Sequence, residues 1–134
     1  MFAVIKLASE TLTERYNPSL FNYFYETFPH GCWVAEQLHK IVGFLVGVKT
    51  SSETARILML AVSKSQRRQG IGSNLLIHFL KEIITENIKH VELEVRVTNK
   101  QAIMFYQKND FDIVNILSNF YQNGGDAYVM RRVL

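Results

Sequence analysis

Two glycines one residue apart, Gly70 and Gly72, stand in the run Gln66-Arg67-Arg68-Gln69-Gly70-Ile71-Gly72-Ser73. The apolar, strand-like segment 57–62 precedes this run, and a helical pattern follows it from Ile71 to about Glu86. Glycines at such a corner leave backbone N–H groups bare, because no Cβ stands in front of them. The positive end of the helix dipole adds to the pull on an anion, and phosphate or pyrophosphate is the natural guest. The same turn also serves as a plain strand-to-helix corner, so both readings stay open at this point. No Gly-x-x-x-x-Gly-Lys-Ser/Thr occurs, and no third glycine follows Gly72 by three residues, so neither a nucleoside triphosphate nor a dinucleotide is indicated. Lys64, Arg67 and Arg68 form the one tight basic cluster, either a solvated loop or a second handle on phosphate.

A second candidate lies in His90-Val91-Glu92-Leu93-Glu94-Val95-Arg96, which alternates strictly and puts Glu92, Glu94 and Arg96 on one face. A strand that follows a crossover helix usually sits inside a parallel sheet and reads as continuously apolar. This one departs from that rule. Its polar face is either solvated or lines a polar groove, and spacing alone favours solvent, with Glu92 expected to be solvated. Cys32, beside Trp33, reads as a buried structural thiol. His30, His39, His78 and His90 show no metal spacing and have no cysteine partners, so no metal is expected.

The elements that must position these groups are legible in outline. Phe2–Leu7 reads as a first strand, and the stretch with Ser9, Thr11 and Thr13 as a short helix. Asn17-Pro18 is a helix start, with Leu20, Phe21, Phe24, Tyr25 and Phe28 as one apolar face ended by Pro29 and Gly31. Segments 32–37 and 41–49, joined by Leu38-His39-Lys40, read as an antiparallel hairpin, and a turn at 51–54 leads into a strand over 55–62. In the helix after the glycines, Ile71, Leu75, Leu76, Phe79, Leu80, Ile83 and Ile84 make a broad face that must pack on a sheet. Asn99 caps a short helix carrying Ala102, Ile103, Phe105 and Tyr106. Segments 111–117 and 127–133 close the order as a hairpin, around a loop with an Asn-Gly-Gly turn. The fold class is mixed α/β, with α+β character.

The chain has 134 residues, 48% hydrophobic and 20% charged, which suits a single domain over residues 1–134 with one core. The net charge of +3 comes without a basic stripe interleaved with aromatics, so no direct nucleic-acid contact is expected. No apolar run approaches the roughly 18 residues of a membrane helix, and no membrane partner is expected. The first residues lack a signal peptide's pattern, and a single cysteine excludes an internal disulfide, so a cytoplasmic protein is expected.

The run Leu60-Ala61-Val62-x-x-x-x-Arg67-x-x-Gly70-x-Gly72 resembles the acetyl-CoA motif of the GNAT N-acetyltransferases. Residues 93–99, Ala102-Ile103, Phe105-Tyr106, Phe111 and Tyr121-x-x-Gly124-x-Asp126-Ala127-Tyr128-x-Met130 resemble one branch of it, the ribosomal-protein-alanine and N-terminal protein acetyltransferases. The likeness is close over residues 57–134 and an outline before that. It implies a mixed sheet of about seven strands flanked by about four helices, with two central parallel strands splayed to admit acetyl-CoA.

The resemblance also implies roles. The amides of Arg67, Arg68, Gln69, Gly70, Ile71 and Gly72, with Ser73, would hold the pyrophosphate; Leu60, Ala61 and Val62 would meet the pantetheine arm through main-chain groups, with Asn99 beside it. An N–H near Val62 would steady the oxyanion, Glu94 would act as base through water, and Tyr106 would serve the leaving sulfur. A thiol near pKa 8.5 and a phenol near 10 make full transfer from Tyr106 uphill by roughly 2 kcal/mol, so hydrogen-bond donation is the expected role. Neutralising an α-amine at pH 7 costs about 1.4 kcal/mol, and a lysine about 4.6, which favours the α-amine of a protein or peptide as acceptor. Tyr121 would help enclose the acceptor, a ribosomal protein being one candidate, and monomer and homodimer both remain open. The alternatives are acetylation of lysine or a small amine, and a non-catalytic acyl-CoA-binding module. The usual proline before the arginine is missing, Phe120 replaces a tyrosine, and the segment 28–31 is short where the family builds a peptide wall.

Overall fold

The computed structural model describes residues 18–67 and 69–134. In chain order these form α1 (Pro18–Thr27), β1 (Cys32–Gln37), β2 (Lys40–Lys49), β3 (Thr54–Val62), α2 (Ile71–Thr85), β4 (His90–Arg96), α3 (Lys100–Lys108), β5 (Asp112–Leu117) and β6 (Ala127–Val133). Single 3-10 turns lie at Pro29–Gly31 and Lys64–Gln66. The six strands make one sheet in the order β1-β2-β3-β4-β6-β5. The mixed α/β class holds. The expected strand at Phe2–Leu7, the short helix after it and the Asn17 cap lie outside the described residues.

The pair β3–β4 is parallel and the other four pairs are antiparallel. The parallel ladder is short: Thr54 pairs with His90, Ala55 with Val91 and Arg56 with Glu92, and there it stops. From Ile57 onward the edge of β3 that faces β4 has no strand partner among the described residues, so a gap opens between the C-terminal halves of both strands. The splay implied by the family resemblance is therefore present.

A bulge shapes the wall of that gap. Val46 of β2 lies opposite Met59 and Gly47 opposite Ile57, leaving Leu58 as the extra residue on β3. One inserted residue reverses the inward and outward alternation of everything after it. Ala55 and Ile57 before the bulge, and Leu60 and Val62 after it, accordingly pack on the same main core. Met59 and Ala61 turn to the opposite face, where with Phe44 and Val46 they form a smaller cluster that Phe24 of α1 packs against.

The main core lies beneath α2 and α3. Ile71, Leu75, Leu76, Phe79, Leu80 and Ile83 are buried along α2, as the periodicity predicts. Ile84 is not; it is exposed, because it falls at the edge of the apolar stripe beyond the reach of the sheet. Tyr25 of α1 is likewise exposed, while Phe24 is partly covered and Phe28 is buried; the side chains of Leu20 and Phe21 lie outside those described. Close approach of α2 to β2 depends on Gly47, where an added Cβ would stand 2.5 Å from Cε1 of Phe79. Cys32 is half-buried rather than buried, and burial still pushes its thiol up, which suits an unreactive structural role.

The β1–β2 hairpin turns through two residues, Leu38 and His39, both with left-handed backbone (φ 49° and 65°). Lys40 already belongs to β2. Such two-residue turns match the twist of the strands but favour Asn and Gly, so Leu and His are strained here.

Candidate active site

At the end of β3 the chain makes one 3-10 turn and enters α2 through Gly70, whose φ of 77° and ψ of 8° place it in the left-handed region. The carbonyl of Gly70 accepts the first helical bond, from the N–H of Asn74 at 2.9 Å. Gly70 has no side chain to cap the helix, so the first-turn amides remain open toward solvent, as at any uncapped helix start. An added Cβ at Gly70 would meet nothing within 4 Å, so the residue is demanded by its backbone angle and the space before it is free. At Gly72 a Cβ would make ordinary contact, 3.4 Å from Cζ of Phe105. The two glycines differ: one is required by the corner's backbone angle, and the other has room for a side-chain methyl against Phe105.

Ser63 donates to Val42 of β2 at 2.8 Å, and Gly43 lies opposite Val62. Peptide groups alternate between the two edges of a strand, so the main-chain groups of Leu60 and Val62 point away from β2 and into the gap. The carbonyl of Val62 is already engaged, accepting from Nε of Arg67 at 3.1 Å. The Arg67 side chain thus folds back to brace the end of β3; the resemblance places its backbone amide, and not this side chain, on the pyrophosphate. Arg68 lies outside the described residues. Gln69 and Gly70 are exposed, Ser73 is partly exposed, and Ile71 is buried with its amide in the first turn.

Across the gap, Val91, Leu93 and Val95 point into the main core, and Glu92, Glu94 and Arg96 point to the other face. That face is not simply solvated. The Glu94 and Glu92 side chains are only 11% and 17% exposed, and each is paired: Nη1 of Arg56 lies 2.7 Å from Oε1 of Glu94, and Nε of Arg131 lies 2.7 Å from Oε2 of Glu92. The expectation that Glu92 is solvated is therefore corrected. Its neighbours explain why: Arg56 and Arg131 lie in register on either side of it. Burial raises the Glu94 carboxyl above its ordinary value, Arg56 lowers it and Glu92 raises it. Sequence patterning does not single out Arg56 or Arg131, because each lies on a strand recognised by its apolar residues.

Asn99 caps α3 as expected, its Oδ1 accepting from the N–H of Ala102 at 3.1 Å. Tyr106 is buried in the main core, edge to face with Phe105 and Phe111 at centroid distances of 5.2 and 5.5 Å. Burial pushes its phenol well above the usual range, so it stays protonated and keeps an O–H to donate. Tyr121 stacks on Arg96, with Cζ 3.9 Å from the ring centroid. Nη1 of Arg96 also donates to Asn123 at 3.1 Å, and Val97 donates to the carbonyl of Asp126, so the 118–126 loop is fastened over the end of β4. The structure thus gathers Leu60, Val62, Glu94 and Tyr121 around the gap, with the glycine corner at its mouth. The segment 28–31 stands apart: His30 reaches Glu82 at 2.7 Å on the outer side of α2. No group of residues suited to a metal occurs among the described residues.

The chain matches the acetyltransferase (GNAT) family over residues 1–111. It belongs to that family. It is 31% identical to an N-alpha-acetyltransferase of Saccharolobus solfataricus, over 98% of this chain and 86% of that protein. With the longer human N-alpha-acetyltransferase 30 the identity is also 31%, over 92% of this chain but 35% of that protein. Among solved structures, Ard1 from Thermoplasma volcanium superposes with a TM-score of 0.93 and 38% identity, covering 97% of this chain and 88% of that one. Arabidopsis thaliana Naa50, in complex with the bisubstrate analogue CoA-Ac-MVNAL, superposes with a TM-score of 0.86 and 28% identity, covering 99% and 91%. As a GNAT member this chain is an acetyl-CoA-dependent N-acetyltransferase. Its own geometry fits that co-substrate: an open glycine corner for a diphosphate leads to strand-edge amides, without a strand partner among the described residues, for an amide-rich arm.

Proposed function

We propose that this acetyltransferase moves the acetyl group of acetyl-CoA to the N-terminal α-amine of a protein or peptide, directly, in a ternary complex. The observation that carries the reading is the meeting of two things where β3 and β4 part: main-chain groups without a strand partner among the described residues, and the largely covered carboxylate of Glu94. Acetyl-CoA supplies the activated acetyl group. The amides leading into and opening α2, from Arg67 to Gly72, with Ser73, bind the pyrophosphate. Leu60 and Val62 bind the pantetheine arm along the open edge of β3, Ala61 between them turning its own main-chain groups to β2, and Asn99 meets the arm with Nδ2, since its oxygen is held by the cap.

The Val62 amide points where negative charge develops on the acetyl carbonyl oxygen, a preorganised donor of the kind that lowers such barriers. Glu94, made more basic by burial, takes a proton from the acceptor ammonium through water. Tyr106 hydrogen-bonds the departing thiolate and keeps its own proton. Tyr121, held on Arg96, encloses the first residue of the acceptor. One carboxylate suits an α-amine, which needs about 1.4 kcal/mol to become neutral at pH 7, better than a lysine at about 4.6. The relatives' names agree, as does the peptide sequence in the Naa50 complex. Ribosomal proteins are among the acceptors to be tried, and every residue assigned here comes from one copy of the chain.

Glu94→Gln and Tyr106→Phe test the assignment. Each should lower turnover, Glu94→Gln by about 10²-fold or more, with acetyl-CoA affinity little changed. Wild-type turnover in both variants would remove this mechanism.

A further inference from the structure

Arg56 stands at the last rung of the parallel ladder, at the point where β3 and β4 separate. Its guanidinium lies between two carboxylates, with Nη1 2.7 Å from Glu94 and Nη2 3.9 Å from Glu92. Arg131 of β6 holds Glu92 from the other side, so Glu92 has a cation of its own and Arg56 is left mainly to Glu94. The Nε of Arg56 is buried and meets no acceptor among the described residues. An unmet donor is unfavourable, and the strand neighbours Ala55 and Ile57 are both buried and apolar, so a plain β residue would serve packing better. What the arginine provides is its contact with Glu94.

We propose that Arg56 is a positioning residue: it holds the Glu94 carboxylate ionised where the gap begins, at the place the acceptor's ammonium must give up its proton. This rests on the proposed function in assigning that proton to Glu94. The logic is electrostatic. Burial and the neighbouring Glu92 both favour the protonated form of the Glu94 carboxyl, and a cation in direct contact opposes them and favours the charged form. The other charged groups on this face are His90 and Arg96 on β4, Arg131 on β6, and Asp112 of β5 in register with Arg131. Arg131 is spent on Glu92, and Arg96 lies under Tyr121 with Nη1 on Asn123. Among the described residues, Arg56 is the cation in contact with Glu94.

The test follows the Glu94 carboxyl carbon by NMR in glutamate-labelled protein, with the signal assigned by its loss in Glu94→Gln. Arg56→Met should raise the Glu94 titration midpoint by about one unit or more, since an adjacent opposite charge shifts a carboxyl by that order. Arg56→Gln, closer in shape, should do the same, and Arg56→Lys should recover most of the shift. The acid limb of kcat/KM for a peptide acceptor should move up in parallel, leaving rates about tenfold lower beneath it, with acetyl-CoA affinity unchanged. An unmoved Glu94 midpoint in both neutral variants would overturn the proposal. Failure of the base assignment is seen separately, as wild-type turnover in Glu94→Gln, and leaves the NMR comparison decisive for Arg56.

Discussion

The two glycines of the corner should respond in opposite ways to the same added methyl group. Gly70 has φ 77°, where an L-residue with a Cβ costs roughly 1–2 kcal/mol. Nothing within 4 Å would clash with that Cβ, so the whole penalty of Gly70→Ala is conformational. In a chain of 134 residues this amounts to a melting temperature lower by about 3–8 °C. If the corner instead relaxes to a right-handed backbone, stability recovers and the amides turn away. Acetyl-CoA affinity then falls, by about tenfold for each 1.4 kcal/mol of lost contact. Gly72→Ala places its Cβ at 3.4 Å from Phe105, an ordinary contact, inside the first turn of α2 where alanine is the better helix former by up to about 1 kcal/mol. It should match or exceed the wild type in melting temperature. Differential scanning fluorimetry with and without CoA, together with calorimetric titration of CoA, separates these outcomes. The reasoning is refuted if Gly70→Ala leaves both quantities unchanged, or if Gly72→Ala is the more damaging substitution.

Other consequences follow from packing, turn geometry and charge. Gly47→Ala puts a Cβ 2.5 Å from Phe79, which is fully buried and cannot retreat, so urea unfolding should show a loss of ~1–3 kcal/mol that Phe79→Leu partly restores. Replacing Leu38-His39 by Asn-Gly relieves two left-handed non-glycine residues at a site where Leu38 is 94% exposed and packs on nothing; a gain of ~1 kcal/mol in the same assay is expected. Because Glu94 has a raised folded value, it binds its proton more tightly folded than unfolded; that stability is present at acidic pH and lost as pH rises through the folded value. Glu94→Gln should therefore gain in melting temperature relative to wild type between acidic and neutral pH, and a gap that shrinks with rising pH would contradict the assigned shift.

Patterns that depend only on neighbours along the chain are legible in the residues themselves. The change from strand to helix periodicity at Gly70, the buried face of α2, and the Asn99 cap are local, and each appears where the residues place it. Alternation also exposes the polar row Glu92, Glu94, Arg96. What that row faces is a matter of register, which no local pattern carries: Arg56 and Arg131 flank Glu92 only once three strands are aligned. The bulge at Leu58 leaves no mark either, since apolar residues surround it and one inserted residue changes no local pattern. The motif puts the Arg67 amide on phosphate, while the reach of its side chain back to the Val62 carbonyl depends on how tightly the intervening turn closes. For Arg56 the one signal in the sequence is charge complementarity, between a lone arginine on one strand and a Glu-x-Glu on another.

The central claim is the α-amine as acceptor, and mass spectrometry of acetylated peptides tests it most directly. The protein and acetyl-CoA would be incubated with pooled peptides whose first two residues vary, alongside N-terminally blocked peptides that carry internal lysines. The account predicts acetyl groups on free N-termini, with a preference among first residues such as Ala, Ser or Met, and none on the blocked set. Acetylation confined to internal lysines would contradict it and assign the same site to a different amine.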